Sequence, residues 1–159
     1  VEPGSNNLEG LRYGKVCILA DADSDGLHIA TLLCALFLKH FRPLVEDGRV
    51  YVSMPPLYRV DQGKDVHYAL DDVEKDKLVD QLQKKNKRTK IEVQRFKGLG
   101  EMNASQLRET TMLPGARRLV QLTIQNGDKS SQMVDMLLSK KRSQDRKEWL
   151  EDKGNLANV

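Results

Sequence analysis

The chain has 159 residues, of which 31% are charged and 39% hydrophobic. This composition suits one ordinary domain with a real core, alone or with an appendage. The formal net charge of +3 is too small to indicate a polyanionic partner by itself. Cys17 and Cys34 lie in apolar runs without disulfide or metal-ligand spacing, so they predict reduced, buried thiols in a cytoplasmic protein. No signal peptide is visible, and the start at Val1 is expected to be an internal boundary.

The predicted elements begin with an irregular lead-in over residues 1–14 and continue as strand, helix and strand. Val16–Ala20 is a continuous apolar run, typical of a buried parallel strand. Leu27–Phe41 predicts a helix that is apolar on most sides and therefore mostly buried, with His40 on its apolar stripe. It is too short to cross a bilayer, so no membrane partner is expected. Arg49–Met54 alternates as a strand, which completes a βαβ unit.

The rest of the chain predicts a hairpin, a charged helix, a further strand and a helical tail. In order, these elements are strands Leu57–Val60 and Val66–Leu70, helix Asp72–Lys85, a basic loop Lys84–Lys90, strand Ile91–Phe96, a helix capped by Asn103, strand Arg117–Ile124, a turn at Asn126–Asp128, and helices Ser130–Lys140 and Ser143–Asp152. The predicted fold class is α/β, a parallel sheet flanked by helices. Its predicted parts are the lead-in 1–14, a domain over 15–115 with a charged insert around 61–90, and a tail over 116–159.

Three aspartates at alternate positions, Asp21, Asp23 and Asp25, follow the first predicted strand. On an extended backbone alternate side chains point to one side, so these carboxylates are expected to converge where the strand leaves the sheet. Open α/β sheets bind ligands at that edge. Three close carboxylates repel one another unless a cation lies among them. Oxygen ligands with open positions suit Mg²⁺ bound together with substrate phosphates, so the pattern predicts a magnesium site.

The aspartates have three other interpretations. An EF-hand calcium loop needs a glutamate seven positions after the third aspartate and a helix before the first. Leu32 occupies that position and a β-type run precedes Asp21, so this pattern is not satisfied. A phosphatase with a nucleophilic aspartate usually has Thr or Val where Asp25 stands. The remaining interpretation is a solvated turn in which one aspartate caps the helix.

The stretch Lys97-Gly98-Leu99-Gly100 lies between a predicted strand and a predicted helix. Two glycines let the backbone approach a phosphate, a helix N-terminus attracts an anion, and Lys97 adds positive charge. The spacing of a P-loop is absent. A tight turn without phosphate binding is therefore the open alternative.

Two basic clusters and one histidine are candidates for contacts with nucleic-acid phosphates. The first cluster is Lys84, Lys85, Lys87, Arg88, Lys90, Arg95 and Lys97; the second is Lys140, Lys141, Arg142, Arg146 and Lys147, with Arg142 and Arg146 expected on one helix face. Solvated charged surface is the alternative for both. His28, in the first helical turn, either donates to a phosphate or packs. Because only 5% of residues are aromatic, contact with a duplex backbone is expected rather than base stacking.

Several of these motifs together resemble one enzyme family. Ile18–Ile29 is similar to the second acidic motif of the TOPRIM domain, a Rossmann-like fold, in type IIA topoisomerases. Val52–Arg59 and Gln94–Asn103 resemble two further signatures of their B subunits, the gyrase B family, and Leu107–Thr111 continues the match. Acidic triplets also occur in primases and type IA topoisomerases, whereas the Lys-Gly-Leu-Gly-Glu-Met stretch is typical of a far narrower group of proteins.

The resemblance implies ATP-driven passage of one double-stranded DNA through a break in another, in an A2B2 heterotetramer whose A subunit supplies a tyrosine nucleophile. Asp21 and Asp23 are the implied catalytic residues: Asp21 as the shared ligand of two Mg²⁺ positions, Asp23 as a ligand of the second. Asp25 matches the third acid of the metal motif and tunes the site. The candidate contacts to the DNA backbone are His28, Lys97, Arg142 and Arg146. ATP is implied only for the full-length protein, in the bacterial cytoplasm at the nucleoid.

One departure from the family pattern is large. The family's TOPRIM begins with a Glu-Gly-Asp-Ser-Ala motif whose glutamate is the remaining metal ligand. Glu9-Gly10 is followed by Leu11 and Arg12 and lies too close to Asp21 to match it. We therefore expect the C-terminal portion of a type IIA B subunit, with an incomplete TOPRIM and half of a metal site, inactive by itself. The alternatives are a non-catalytic module that docks DNA and the A subunit, or the equivalent part of gyrase.

Overall fold

The computed structural model describes residues 1–86, 89–125 and 129–156. Its strands are β1 (Val16–Ile18), β2 (Val50–Ser53), β3 (Tyr58–Gln62), β4 (Asp65–Ala69), β5 (Ile91–Arg95) and β6 (Leu119–Gln121). Its helices are α1 (Ser24–His40), α2 (Arg42–Glu46), α3 (Asp72–Lys85), α4 (Ala104–Leu107), α5 (Ser130–Leu138) and α6 (Ser143–Lys153). Short 3₁₀ turns occur at Leu99–Glu101, Lys140–Arg142 and Gly154–Leu156, and a π-helical turn at Arg108–Met112. Lys87, Arg88 and the predicted turn at Asn126–Asp128 lie outside the described residues.

The first sheet contains the predicted βαβ unit. Strands β1 and β2 are parallel, with Val16 opposite Val50 and Ile18 opposite Val52, and α1 and α2 connect them. Strand β6 pairs antiparallel with the other edge of β2. The buried core on this sheet consists of Ile18, Ala30, Leu44, Val45 and Val50. The α/β class is confirmed, but the predicted parallel sheet only in part, since β1–β2 is the one parallel pair in the part of the chain that the structure describes.

The second sheet is antiparallel throughout, in the order β4-β3-β5. It confirms the predicted hairpin around Gly63, with Gln62 opposite Asp65. Tyr58, Val60 and Gln62 alternate as buried residues along β3. The side-chain amide of Gln62 donates to the Leu82 carbonyl of α3 at 3.0 Å. Helix α3 is thereby fixed to the hairpin.

Helix α1 differs from its prediction at both ends and in burial. It begins at Ser24 because Asp23 caps it, and Pro43 lies in the first turn of α2, where proline is tolerated. The prediction of a mostly buried helix is wrong: only Gly26, Ala30 and Ala35 are buried. The exposed side chains of α1 include Leu27, Ile29, Leu32, Leu33, Leu36 and His40. Phe37 and Leu38 are half-buried and pack against the core of the first sheet, so α1 covers the sheet with one face and leaves its other large apolar residues exposed.

The segment after Gly100 follows its prediction at its start. Asn103 caps α4 with a capping box: it accepts from the Gln106 amide and donates its own amide to the Gln106 side chain, both at 2.9 Å. The helix continues only as the π-helical turn to Met112. Strand β6 is shorter than predicted, since it spans only Leu119–Gln121, although the next amide, of Leu122, still donates to the Val50 carbonyl of β2 at 2.9 Å.

An ion pair connects α3 to the residue before β6, and it makes stability depend on pH. Arg118 donates to Glu74 at 2.7 Å, and the Leu70 amide donates to the same carboxylate at 2.7 Å. The Arg118 bond first, and then the Leu70 bond, lower the pKa of Glu74. A lowered folded-state pKa stabilises the protein above the unfolded-state pKa, and that contribution disappears as the pH falls through the folded-state value.

We therefore expect acid to destabilise the wild type slightly more than Glu74→Gln between about pH 5 and pH 3. Both side chains are more than a third exposed, so the difference should be only a few tenths of a kcal/mol. Urea unfolding at each pH measures it. Glu151→Gln is the control, because the Glu151–Lys147 pair is exposed and 3.8 Å apart. An identical pH profile for wild type and Glu74→Gln would contradict this role.

Candidate metal and DNA site

The three aspartates line one open depression of about 380 Å³, together with Gly26, Ile29 and Leu99. The structure thus brings Asp21, Asp23 and Asp25 together, as the spacing predicts. The expected extended-strand geometry is wrong, however. Strand β1 ends at Ile18, and Asp25 already belongs to the first turn of α1. The three aspartates line the same depression because a loop and a helix start meet there.

Asp23 is the N-cap of α1. Its Oδ1 accepts a hydrogen bond from the Gly26 amide at 2.7 Å. The capping interpretation is therefore correct for this aspartate, and such a cap typically stabilises by about 1 kcal/mol. Because a carboxylate has two acceptor oxygens, a cap through Oδ1 is compatible with a metal bond through Oδ2.

Asp21 lies between two glycines that approach it closely. The Leu99 amide donates to Asp21 Oδ1 at 2.8 Å. A β-carbon on Gly98 would lie 2.9 Å from the Asp21 carboxyl carbon, and one on Gly26 would lie 2.0 Å from the Asp21 backbone oxygen. Only residues without a side chain leave this space open. The glycines therefore form a cradle around Asp21.

The glycine loop Lys97–Gly100 turns towards the aspartates, and two of its backbone amides, those of Lys97 and Leu99, donate hydrogen bonds within the chain. Besides the Leu99 amide, the Lys97 amide donates to Glu101 Oε2 at 2.7 Å. The loop runs into the three-residue 3₁₀ turn Leu99–Glu101, and α4 begins only at Ala104 with its own cap, Asn103, so no long helix starts at the loop to attract an anion. These contacts favour the tight-turn interpretation over a phosphate cradle made of backbone amides. The Lys97 side chain is exposed.

The donor set around the depression fits a hard cation. Its acidic groups are carboxylates, the ligands that Mg²⁺ prefers, and Gly98 keeps the space beside Asp21 open. Within residues 1–86, 89–125 and 129–156, no group of three or more His, Cys, Asp or Glu side chains is arranged to hold a metal ion. A cation at Asp21 and Asp23 would therefore take its remaining ligands from another segment, from DNA or from water.

The four predicted DNA contacts fall into two regions. His28 and Lys97 are exposed near the depression, on α1 and on the glycine loop. In the tail, Arg146 donates to the carbonyls of Met136 and Ser139 at 2.9 and 2.6 Å. It thereby satisfies the C-terminal end of α5. Contacts of these side chains with DNA stay a prediction.

Arg142 has two acidic partners within the tail. It donates to Asp145 at 2.5 Å and to Asp135 at 3.2 Å, and these bonds raise its pKa. The expectation that Arg142 and Arg146 share one helix face is wrong, because Arg142 belongs to the 3₁₀ turn before α6. Lys140, Lys141 and Lys147, the other basic residues of this cluster, are exposed. The first basic cluster is described only in part, since Lys87 and Arg88 lie outside the described residues.

Sequence reasoning missed two groups at this site, the Leu99 amide and the Glu101 side chain. A backbone donor has no residue-type signal, although the flanking glycines indicated a close approach of some kind. Glu101 follows Lys97 at a spacing that suits a local side-chain-to-backbone bond. The contact between Leu99 and Asp21 joins positions far apart in the chain.

The described part of the chain is thus a mixed α/β fold with carboxylates after its first strand. No helix in the described part of the chain has the length and apolarity to cross a membrane. Residues 88–151 match the family described as DNA gyrase B subunit, carboxyl terminus. Over this C-terminal part, the chain is similar to the carboxyl-terminal region of DNA gyrase B subunits.

The relatives indicate the branch within the family. The B subunit of DNA topoisomerase 4 from Pseudomonas aeruginosa is 66% identical over 159 residues, covering 100% of this chain and 25% of that protein. The B subunit of DNA gyrase from Halalkalibacterium halodurans is 44% identical over 146 residues, covering 92% of this chain and 22% of that protein. The chain thus spans about a quarter of the length of the curated relatives that it matches. It is more similar to the topoisomerase 4 relative than to this gyrase.

A solved structure has the same fold. It is the crystal structure of the Plasmodium falciparum topoisomerase II DNA-binding, cleavage and re-ligation domain. The TM-score is 0.63 with 26% sequence identity, and the match covers 92% of this chain and 19% of that one. The described fold is therefore that of a part of a type II topoisomerase.

Proposed function

We propose that this chain is the Mg²⁺-dependent DNA cleavage and religation part of the B subunit of a topoisomerase IV. In the complete ATP-dependent enzyme it would act with the tyrosine of the A subunit to decatenate and relax DNA. The observation that carries the proposal is the open depression in which Asp21, Asp23 and Asp25 come together. The similarity over the whole chain to the topoisomerase 4 relative supports it.

The proposed roles of the residues are those that the family resemblance implies. Asp21 and Asp23 would hold Mg²⁺ through carboxylate oxygens, and Asp25 would tune the charge of the site. When bound, Mg²⁺ supplies Lewis-acid stabilisation of charge on the scissile phosphate and the leaving oxygen. His28 and Lys97, exposed near the depression, would bind backbone phosphates and orient the strand for attack. Arg142 and Arg146 would contact duplex further along the tail.

The partners of the site lie outside this chain. The tyrosine belongs to the A subunit in an A2B2 assembly, and the family's metal-ligand glutamate has no counterpart in this sequence. We therefore expect the 159-residue chain by itself not to cleave DNA. It would work within the full-length protein, which also binds ATP, on nucleoid DNA in the cytoplasm.

A second candidate function is a docking module without catalysis. The observation that favours it is that Asp21 and Asp23 each make an intramolecular hydrogen bond, to Leu99 and Gly26. Both acids would then be structural, and the chain would serve only to bind DNA and the A subunit. The equivalent role in gyrase is the third possibility. The sequence identity to the gyrase relative is lower than that to the topoisomerase 4 relative.

The test uses the full-length protein in complex with its A subunit and measures Mg²⁺-dependent cleavage of supercoiled DNA. We expect Asp21→Ala and Asp23→Ala each to reduce cleavage by more than about 100-fold, because even groups that only support metal ligands typically cost roughly 10–100-fold. Asp21→Asn and Asp23→Asn should do the same. Asparagine keeps a hydrogen-bond acceptor for Leu99 or Gly26, so their loss of activity reports the missing charge and not the missing bond.

The control is Asp65→Ala, an exposed aspartate at the hairpin end of β4, which should cleave like wild type. If both asparagine variants cleave DNA as fast as the control, the catalytic role is excluded. Retained binding of DNA and of the A subunit would then favour the docking module.

A further inference from the structure

We infer that the glycine loop Lys97–Gly100 positions the metal ligand Asp21, with the Leu99 backbone amide as the group that holds it. This inference rests on the proposed function, because it requires Asp21 to bind Mg²⁺. It gives the loop a role other than contacting phosphate through its backbone. Leu99 and Gly98 are thus positioning residues for the site.

The first step of the argument is the bond itself. Asp21 is an exposed residue between the end of β1 and the cap of α1. The Leu99 amide donates to its Oδ1 at 2.8 Å, within the range of a hydrogen bond to a charged acceptor. This bond restricts rotation of the carboxylate, which still has a second oxygen, Oδ2, with which to bind a cation. Metal-binding carboxylates are typically held in this way by hydrogen bonds from outer groups.

The second step is the clearance at Gly98. A β-carbon at this position would lie 2.9 Å from Asp21 Cγ, 2.9 Å from Oδ2 and 3.0 Å from Oδ1. Any side chain would therefore push the carboxylate away or lift the loop from it. A β-carbon on Gly100, two residues later in the same loop, would meet nothing within 4 Å. The requirement for glycine is thus specific to the position that faces Asp21.

The third step is the rigidity of the loop. The Lys97 amide donates to Glu101 Oε2 at 2.7 Å, and the Glu101 amide donates to the Gly98 carbonyl at 3.2 Å. On the other side, Phe96 is buried, and its amide donates to the Leu57 carbonyl at 2.8 Å. The Leu99 donor is therefore fixed from both ends. In this way the second sheet helps to fix the orientation of the Asp21 carboxylate, which follows strand β1 of the first sheet.

The test compares Gly98→Ala with Gly100→Ala in the full-length protein. Titration calorimetry with Mg²⁺, without nucleotide, measures metal binding directly. We expect Gly98→Ala to weaken Mg²⁺ binding about 10-fold or more, and Gly100→Ala to bind like wild type. In the assembled enzyme, Gly98→Ala should raise the Mg²⁺ concentration for half-maximal DNA cleavage, while saturating Mg²⁺ restores most of the maximal rate.

A second pair of variants tests the loop without adding a clash. Glu101→Ala removes the acceptor of the Lys97 amide, whereas Glu101→Gln keeps one. We expect Glu101→Ala to weaken Mg²⁺ binding in the same direction as Gly98→Ala, and Glu101→Gln to restore it. This comparison holds even if Gly98→Ala fails to fold.

Asp21→Asn separates the two proposals. If Asp21→Asn leaves both Mg²⁺ binding and cleavage unchanged, the proposed metal site itself is wrong. If Asp21→Asn abolishes Mg²⁺ binding but Gly98→Ala and Glu101→Ala bind as tightly as Gly100→Ala, the site stands and the positioning role is overturned.

Discussion

Gly26→Ala is expected to destabilise the protein by more than about 2 kcal/mol, although alanine is the better helix former. Gly26 lies in the first turn of α1 and is buried. Helix propensity alone predicts a gain of about 1 kcal/mol from this change. The added β-carbon, however, would lie 2.0 Å from the Asp21 backbone oxygen, and 2.7 and 2.8 Å from its backbone carbon and nitrogen. The position of a β-carbon is fixed by its own backbone, so no rotamer relieves its clash with the Asp21 backbone, and the loop or the helix start must move.

Urea unfolding of wild type and variant measures this difference. Gly14→Ala is the matched control, because its β-carbon would meet nothing within 4 Å; its free energy of unfolding should stay within about 0.5 kcal/mol of wild type. A variant Gly26→Ala as stable as wild type would mean that the helix start and Asp21 are not packed as described. Because the clash is with Asp21 itself, the same variant should also weaken Mg²⁺ binding.

Local patterns were sufficient for elements whose boundaries are set by neighbouring residues. Helix α3 spans the predicted Asp72–Lys85. Its start is set locally, because the Asp71 side chain caps it by accepting a hydrogen bond from the Glu74 amide. The hairpin β3–β4 follows from two alternating runs around Gly63. The antiparallel pairing of β5 with β3 was not predicted, since strand partners far apart in the chain have no local signal.

Burial of α1 could not be inferred from its composition. An apolar helix is expected to be covered on most sides, yet Leu27 is 61% exposed and Ile29 54% exposed. Which faces are covered depends on the elements that pack against a helix, and here one face, with Ala30, Phe37 and Leu38, packs against the core of the first sheet. The amino-acid pattern therefore predicted the helix but not its surroundings.

The candidate site was predictable in its residues and not in its geometry. The three aspartates do line one depression, although the extended strand from which this was predicted ends at Ile18. Their spacing did not show that Asp23 uses one oxygen to cap α1, nor that the Leu99 amide holds Asp21. Backbone donors and caps depend on how the chain turns. The glycines were the only visible trace of that close packing.

Phe96→Ala is expected to lower the free energy of unfolding by about 3–5 kcal/mol. Phe96 is 2% exposed and directly follows the strand that leads into the glycine loop. Removing the ring loses the free energy gained by burying it away from water. It also leaves a cavity that the surrounding side chains fill only partly. Such a loss is a large fraction of the stability of an ordinary domain, which is roughly 5–15 kcal/mol.

Two further variants calibrate the Phe96 result in urea unfolding. Phe96→Leu retains most of the apolar volume and should lose much less than Phe96→Ala. Val93→Ala, in β5, removes an apolar group that is 48% exposed, so it should lose under about 1 kcal/mol. If Phe96→Ala were no more costly than Val93→Ala, Phe96 would not anchor the loop. Folded Phe96→Leu should bind Mg²⁺ more weakly if the smaller side chain lets the Leu99 amide move away from Asp21. Weaker Mg²⁺ binding by this variant would link the core of the second sheet to the acidic depression beside the first sheet.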